Sequence, residues 1–300
     1  MIKINFKLTN ELKNEYLNLL NSSKFGNGRS AKTIKERFNA YSQLSGYFNF
    51  EDIIFVKPCD MDNLINKMKE LNLDKDRLKD IFNYTKFQPL IAKFIEKHLN
   101  PTVCYYCNID FINVFDENEN KNKFTLDHFI DKANYPFLAL SFYNLIPSCY
   151  VCNSKKIKGT INFYENENLK DKNPYSENFN FDERVKFKLF LSKSSLHLNV
   201  KSKSDIIIPL KEKYTNNYDE YIKVFKLNER YEAHRDMVFD MIKNMGLYPD
   251  SRLKELQDLT GIPYIQIKQD IFNLVNEEDD LSKRPLSKLI KDIANELGII

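Results

Sequence analysis

The chain has 300 residues, of which 29% are charged and 42% hydrophobic, with a formal net charge of +3. This length allows one large domain or two modest ones with a sizeable core, and so mild a charge permits a polyanionic partner without arguing for one. The opening residues Met-Ile-Lys-Ile-Asn-Phe-Lys lack the apolar run of a secretory signal. No apolar stretch approaches the roughly 20 residues needed to cross a bilayer, so the expectation is a cytoplasmic protein with no membrane partner.

Residues 1–100 read as an N-terminal helical region. Thr9 can cap a helix carrying Leu12, Tyr16, Leu19 and Leu20 at helical spacing. Residues 24–30 are rich in turn formers, and a second helix after them carries Ile34, Phe38 and Tyr41. Asp62 can cap a helix running to about Leu71, and Asp74 the next. Residues 87–99 form a helix that Asn100-Pro101 stops.

Residues 101–160 hold the chemistry. Cys104 and Cys107 open the segment as Cys-Tyr-Tyr-Cys, and Cys149 and Cys152 close it as Cys-Tyr-Val-Cys. Thiolates two residues apart in a tight turn can both reach one zinc ion at about 2.3 Å. In a chain without a secretory signal, paired Cys-x-x-Cys points to a structural Zn²⁺ site in a reducing compartment, not to disulfides. The fifth cysteine, Cys59, reads as a small buried hydrophobe. Between the knuckles, residues 116–123 form a polar turn, residues 123–129 a short strand and residues 141–147 a second strand or extended loop. Residues 149–158 begin a helix, giving a strand, strand, helix order.

Asp127 and His128 end the first of these strands. Adjacent strand residues face opposite sides, but at a twisted strand end the carboxylate can bind Mg²⁺ or Mn²⁺ while the imidazole faces a neighbouring water. A neutral imidazole is suited to taking a proton from that water. Asn153 follows Cys152 and can offer a neutral oxygen to the same cation, or simply cap the helix. Asn144 can fix the loop through its backbone, as turn asparagines often do. Lys155, Lys156 and Lys158 lie either beside a bound phosphate or on a solvated helix face.

Residues 161–300 are expected to be a β-hairpin followed by a C-terminal helical region. Val185, Phe187, Leu189 and Leu191 alternate with polar residues, then Leu196, Leu198 and Val200 follow, which predicts a hairpin turning near Lys193-Ser194. Residues 214–245 form a long amphipathic helical region with a break near Leu227-Asn228, ended by Gly246 and Pro249. Residues 251–300 read as short helices. His98 is expected at a helix end and His197 within a strand. His234, with Arg230 and Arg235, either supports a substrate phosphate or lies on a solvated surface. The fold class expected is α+β, a mainly helical chain with a strand-strand-helix insertion and a hairpin.

These residues carry a resemblance. Leu126-Asp127-His128-Phe129, then Tyr135-Pro136, then residues 143–149 (Tyr-Asn-Leu-Ile-Pro-Ser-Cys), then Cys152-Asn153-Ser154-Lys155-Lys156 resemble the HNH endonuclease family. The likeness is to the branch with two zinc knuckles, which includes HNH proteins of bacterial anti-phage systems such as the nuclease subunit of Septu. It covers roughly a fifth of the chain, and Asn153 stands where the name-giving pattern has His, a variant common in the family. A softer likeness joins residues 227–231 (Leu-Asn-Glu-Arg-Tyr), with His234-Arg235, to the C-terminal helix of the same branch. The resemblance implies a ββα-metal module in which Asp127 and Asn153 bind the catalytic cation, His128 is the general base and Asn144 braces the loop. It implies a metal-dependent endonuclease acting on DNA and, by analogy, a separate sensor ATPase as partner; the chain has no Walker motif of its own, so any NTP-driven gating is expected to come from elsewhere. Two other readings stand beside it: a zinc-dependent nucleic-acid-binding module with little or no catalysis, and a nuclease that cleaves RNA.

Overall fold

The computed structural model describes residues 1–26, 31–112, 114–116, 121–122, 124–159, 161–192, 200, 202–275 and 280–300. Over these the chain is α+β and mainly helical, with small two-stranded antiparallel sheets. It divides into two units, one of Lys3–Tyr106 and Phe111–Phe179, the other of Met1–Ile2, Cys107–Asp110 and Asn180–Ile300. Among the described residues no helix is long and apolar enough to cross a membrane.

The first unit opens with seven helices: α1 (Asn10–Asn21), α2 (Ile34–Asn39), α3 (Ser42–Ser45), α4 (Phe50–Ile54), α5 (Met61–Glu70), α6 (Lys75–Ile81) and α7 (Tyr84–Leu99). Side-chain caps start several of them by satisfying first-turn amides. Thr9 accepts from Leu12 N at 3.3 Å, Thr33 and Glu36 form a reciprocal capping box, and Asp74 accepts from the amides of Asp76 and Arg77. The helix expected through Tyr41 ends at Asn39, and Tyr41 lies between α2 and α3. Asp62 is in the first turn of α5 and is not its cap. Asn83 starts α7 three residues before Phe87 by accepting from Lys86 N, and Asn100 ends it in the left-handed region at φ 47°.

Tyr16 and Leu20, one turn apart, are the buried face of α1. The Tyr16 ring packs against Phe94 of α7 and against Phe142, and its hydroxyl donates to Leu140 O at 3.0 Å. The N-terminal helices therefore hold the loop that precedes residue 144. Cys59 is exposed rather than buried. It sits in a 3-10 turn, Pro58–Asp60, ahead of α5, and the apolar face of that helix is supplied instead by Met61, Leu64, Ile65 and Met68.

Strands β1 (Val114–Asp116) and β2 (Lys121–Asn122) pair antiparallel; most of the polar turn expected there lies outside the described residues. Strands β3 (Thr125–His128) and β4 (Leu145–Ser148) also pair antiparallel, with Asp127 opposite Ile146 and His128 opposite Leu145. The helix expected at residues 149–158 does not form: residues 149–159 are a run of turns. The buried apolar residues of this run, Cys149 and Cys152, converge on the cysteine cluster, and of residues 153–159 only Ile157 is apolar, so little is left to drive a helix this short. Gly159 has φ +52°, and a Cβ there would lie 2.7 Å from Lys155 O, so the tight turn after Lys158 requires glycine.

The second unit begins with α8 (Phe181–Arg184) and strands β5 (Val185–Phe187), β6 (Phe190–Leu191), β7 (Ile206–Ile207) and β8 (Leu210–Glu212). Strand β5 pairs with β8 and β6 with β7. The first arm is the one the alternation predicts. Its strands pair back with 206–207 and 210–212, whereas the turn expected at Lys193-Ser194, His197 and all but residue 200 of the return arm expected at 196–200 lie outside the described residues. Helices α9 (Asp219–Val224), α10 (Leu227–Tyr231), α11 (Arg235–Leu247), α12 (Asp250–Thr260), α13 (Tyr264–Phe272) and α14 (Ser287–Glu296) follow. The break near Leu227 is made by Lys226 in the left-handed region at φ 48°.

An ion network closes this unit. The fully buried Lys288 ammonium lies 3.0 Å from Asp182 and 2.9 Å from Asp292, and Asp292 also accepts from Phe187 N at 3.0 Å. Burial opposes ionisation of Asp182, but Lys288 and Lys186 beside it hold its carboxyl well below the usual carboxylate range. α8, β5 and α14 are thus tied by groups that satisfy one another, as buried charges must be.

Candidate metal centre and the Asp127–His128 strand end

The four knuckle cysteines come together. Cys104, Cys107, Cys149 and Cys152 are all buried, and their sulfur atoms lie within 4.8 Å of one another. Four sulfurs at 2.3 Å around one tetrahedral ion would be about 3.8 Å apart, so the cluster can hold a metal ion such as zinc. Local backbone positions the thiols. Val103 bridges to Phe111, and Ile112 N donates to Thr102 O at 2.9 Å, which closes the loop around the first knuckle. The amides of Ile109 and Cys152 each point at a knuckle sulfur, Cys107 and Cys149 respectively, at 3.4 Å. Among the described residues this is the group of three or more Cys, His, Asp or Glu side chains close enough to share an ion.

Strand β4 runs directly into the second knuckle, and β3 beside it ends in Asp127 and His128. Asp127 is 5% exposed. Its Oδ2 accepts from the Tyr106 hydroxyl at 2.7 Å, and the Lys158 ammonium lies 2.9 Å from Oδ2 and 3.1 Å from Oδ1. Lys158, itself 3% exposed, also donates to His128 O at 2.6 Å and sits 5.0 Å over the Phe163 ring. The expectation that Lys158 lies beside a bound phosphate is thus not met: its charge is spent inside the protein, on Asp127. Lys155 and Lys156, in the same run of turns, are exposed.

His128 is buried against Tyr84, ring centroids 4.4 Å apart and edge to face, and its Nε2 lies 3.0 Å from Ala139 O. A carbonyl can only accept, so Nε2 carries the hydrogen and Nδ1 the lone pair. Burial pushes the imidazole down to about 3, with the charge of Lys132 adding to the effect, the Ala139 carbonyl opposing it and Lys158 adding again. The ring is therefore neutral at pH 7, with a fixed tautomer.

Asn144 is fully buried and spans the loop between the strands. Its Oδ1 accepts from Ile130 N at 2.7 Å, and its Nδ2 donates to Ile130 O at 3.0 Å and Leu138 O at 3.1 Å. Removing this side chain strands the amide and carbonyl of Ile130, while Leu138 O keeps its bond from Ser141 N. Asn144→Ala is expected to cost roughly 2–6 kcal/mol in urea unfolding, at about 1–3 kcal/mol for each of the two buried groups left unpaired. A cost within error of zero would show that the loop does not depend on it.

Asn153 is half-buried beside the second knuckle, where its amide donates to Cys149 O at 3.1 Å. The place next to Asp127 suits a cation, because both carboxylate oxygens and a main-chain carbonyl already surround one. That cation is the protein's own ammonium. In the second unit, the Arg230 guanidinium lies 3.0 Å from Asp110, and Arg235 pairs with Glu232 one turn before it. His234 is half-buried, and burial lowers its basicity, with Asp110 opposing. In the first unit, His98 accompanies Lys97 on Glu15, with Nε2 at 3.0 Å.

Tyr106, Tyr84 and Lys132 enter the site without having been singled out from the sequence. Tyr106 lies inside the first Cys-x-x-Cys, where a signal was available in principle: an interior knuckle residue is carried to wherever the knuckle packs. The other two come from α7 and the loop after β3 by long-range packing alone. No protein-family model, curated protein or solved structure matches this chain.

Proposed function

We propose that the protein is a zinc-stabilised endonuclease of the HNH type that hydrolyses phosphodiester bonds in DNA. The observation that carries this reading is the tautomer of His128. A buried neutral imidazole whose Nε2–H is committed to Ala139 O keeps its Nδ1 lone pair as a base, next in sequence to a carboxylate. A general base needs an oriented, unprotonated nitrogen and works best when its pKa lies near the operating pH, so this ring, which burial holds down at about 3, is oriented and neutral but weakly basic as it stands.

In this reading the Cys104, Cys107, Cys149 and Cys152 thiolates hold structural zinc, which ties the end of β4 to the first knuckle. His128 takes a proton from the attacking water at Nδ1. Asn144 holds the 130–138 loop, and through it the carbonyl of Ala139 that orients the ring. Tyr106 fixes the rotamer of Asp127 through its hydroxyl. A divalent ion such as Mg²⁺ or Mn²⁺, taken by Asp127 and Asn153, would supply positive charge to the phosphate and the leaving oxygen. Lys155 and Lys156 offer exposed charge to the phosphate backbone. By analogy with the family, the setting is an anti-phage defence system in which a separate ATPase senses the trigger.

A second reading is favoured by one observation, the closed Asp127–Lys158 pair: a zinc-dependent module that binds nucleic acid with little or no hydrolysis. Incubating supercoiled plasmid, and separately RNA, with wild type and His128→Ala across Mg²⁺, Mn²⁺, Ni²⁺ and EDTA decides between these. Nicking by wild type alone supports the endonuclease. Binding without cleavage in every metal supports the module, and cleavage of RNA only reassigns the substrate.

The basic residues make separable predictions. Lys155→Ala with Lys156→Ala is expected to weaken DNA binding and to flatten the dependence of affinity on salt by about one unit of logarithmic slope per lost contact. Arg230→Ala with Arg235→Ala is expected to leave that slope unchanged, because Asp110 and Glu232 already engage both guanidinium groups. Affinities measured from low to physiological salt check both variants, and the reverse pattern would move the phosphate track to the second unit.

A further inference from the structure

Lys158 stands where the proposed chemistry needs a divalent ion. Its ammonium contacts both oxygens of Asp127, at 2.9 and 3.1 Å, and the carbonyl oxygen of His128 at 2.6 Å. The second proton donor on Asp127, the Tyr106 hydroxyl, completes a carboxylate with no oxygen left unengaged. Both charged groups are almost wholly buried. Surface lysines rarely reach such a position, because burying an ammonium is costly unless acceptors replace its water. Here three oxygens do so, and one belongs to the backbone of the base residue itself.

We propose that Lys158 is a resident counter-ion in the cation place of Asp127, and that a divalent ion reaches Asp127 only by displacing this ammonium. The inference rests on the endonuclease reading for the identity of the incoming ion. A divalent ion seated on both Asp127 oxygens and His128 O would occupy the position the ammonium holds, and two cations that close repel more strongly as the dielectric falls. Lys158 lies at the end of a run of turns, not within a helix, and its backbone is held by two bonds, from its amide to Cys152 O at 3.3 Å and from Ile161 N to its carbonyl at 3.0 Å, so exchange requires the side chain to swing out rather than the turn to open. The metal knuckle anchors one end of this run while the ammonium forms the other. The arrangement keeps Asp127 oriented and compensated without a divalent ion, and makes ion uptake an exchange rather than a simple addition.

The test uses the full-length zinc-loaded protein. Mn²⁺ binding is measured by calorimetry and by electron paramagnetic resonance of free Mn²⁺ for wild type, Lys158→Met, Lys158→Arg, Asp127→Asn and the Lys158→Met/Asp127→Asn pair. Removing the competitor is expected to tighten Mn²⁺ binding at least tenfold in Lys158→Met. Lys158→Arg should not tighten it, and both variants lacking Asp127 should lose the site. Because Lys158→Met leaves a buried carboxylate without its partner and can fail to fold, a second measurement uses wild type alone. In ¹⁵Nζ-lysine spectra the enclosed ammonium should give a protected resonance that disappears as Mg²⁺ saturates the site.

Equal Mn²⁺ affinity in wild type and Lys158→Met overturns the proposal. So does a protected lysine signal that survives saturating Mg²⁺, or absence of Mn²⁺ binding in both proteins. Failure of the endonuclease reading has a different signature, which is no cleavage of DNA or RNA by wild type in any metal. His128-dependent cleavage in EDTA would sink the exchange while keeping the hydrolase.

Discussion

Replacing Cys104 or Cys152 by serine is expected to abolish stable folding of the protein rather than merely its chemistry. Structural zinc contributes on the order of 10–16 kcal/mol of apparent binding free energy in small domains, whereas whole domains are stable by only about 5–15 kcal/mol. Loss of one of four ligands therefore removes an amount comparable to the entire margin. The structure explains why so much depends on it. Cys104 is fully buried on the loop closed by the Val103–Phe111 bridge, and Cys152 is fully buried just beyond β4. One ion would join segments more than forty residues apart in sequence. Without it, four buried thiols would face one another with weak attraction and with two backbone amides aimed at them. Elemental analysis should find one zinc per chain in wild type and none in the serine variants. Their thermal transition should be absent or lowered by tens of degrees, roughly as expected for a loss of several kcal/mol. A zinc-free protein that melts like wild type would remove the metal from the account altogether.

The second large effect is on activity. His128→Ala is expected to lower the cleavage rate by about 100- to 10,000-fold, the usual contribution of a positioned general base. The same change is not innocent to the fold. The ring packs on Tyr84 and donates to Ala139 O, so alanine leaves a small cavity and a stranded carbonyl, at a cost of roughly 1–3 kcal/mol. Rates should therefore be compared well below the melting temperature, with zinc content checked. Wild-type cleavage by a folded His128→Ala protein would show that the base lies elsewhere.

The pH dependence of stability offers an independent check. Burial holds His128 at about 3 in the folded protein, below the ordinary histidine value of about 6.5 that the unfolded chain retains. As pH falls below that ordinary value, the unfolded state takes up the proton first. This contribution to stability is therefore complete above it and is lost toward pH 3, at no more than about 1.4 kcal/mol per pH unit. His128→Gln should remove that part of the acid destabilisation while keeping a side-chain donor for Ala139. An unchanged slope between pH 6 and 4 would mean that His128 is not held neutral by burial.

The amino-acid sequence by itself determined the features that depend on neighbours along the chain. Two Cys-x-x-Cys pairs declare a metal knuckle because a turn of four residues is enough to converge two thiols, and all four thiols do converge. Thr9 and Asp74 cap their helices because a cap acts on amides two or three residues away. A strand at 123–129 and a second strand or extended loop at 141–147 were legible from the apolar residues flanking the Asp-His dipeptide and Asn144, and the structure pairs 125–128 with 145–148. Three other features were decided only by tertiary structure. Residues 149–159 stay as turns, since so short a segment gains little from helix propensity and its buried apolar side chains, Cys149 and Cys152, are drawn to the cysteine cluster. The partners of 185–187 and 190–191 are 210–212 and 206–207, because strand partners are chosen by buried faces, which alternation along one segment does not name. Lys158 reads in sequence as one more lysine of a basic run, identical in kind to Lys155 and Lys156. Only folding separates them, leaving two in water and bringing the third, thirty-one residues from Asp127, onto its carboxylate. A charge pattern specifies how many cations a segment carries, but which of them is desolvated is set by the acceptors that the rest of the chain brings to it.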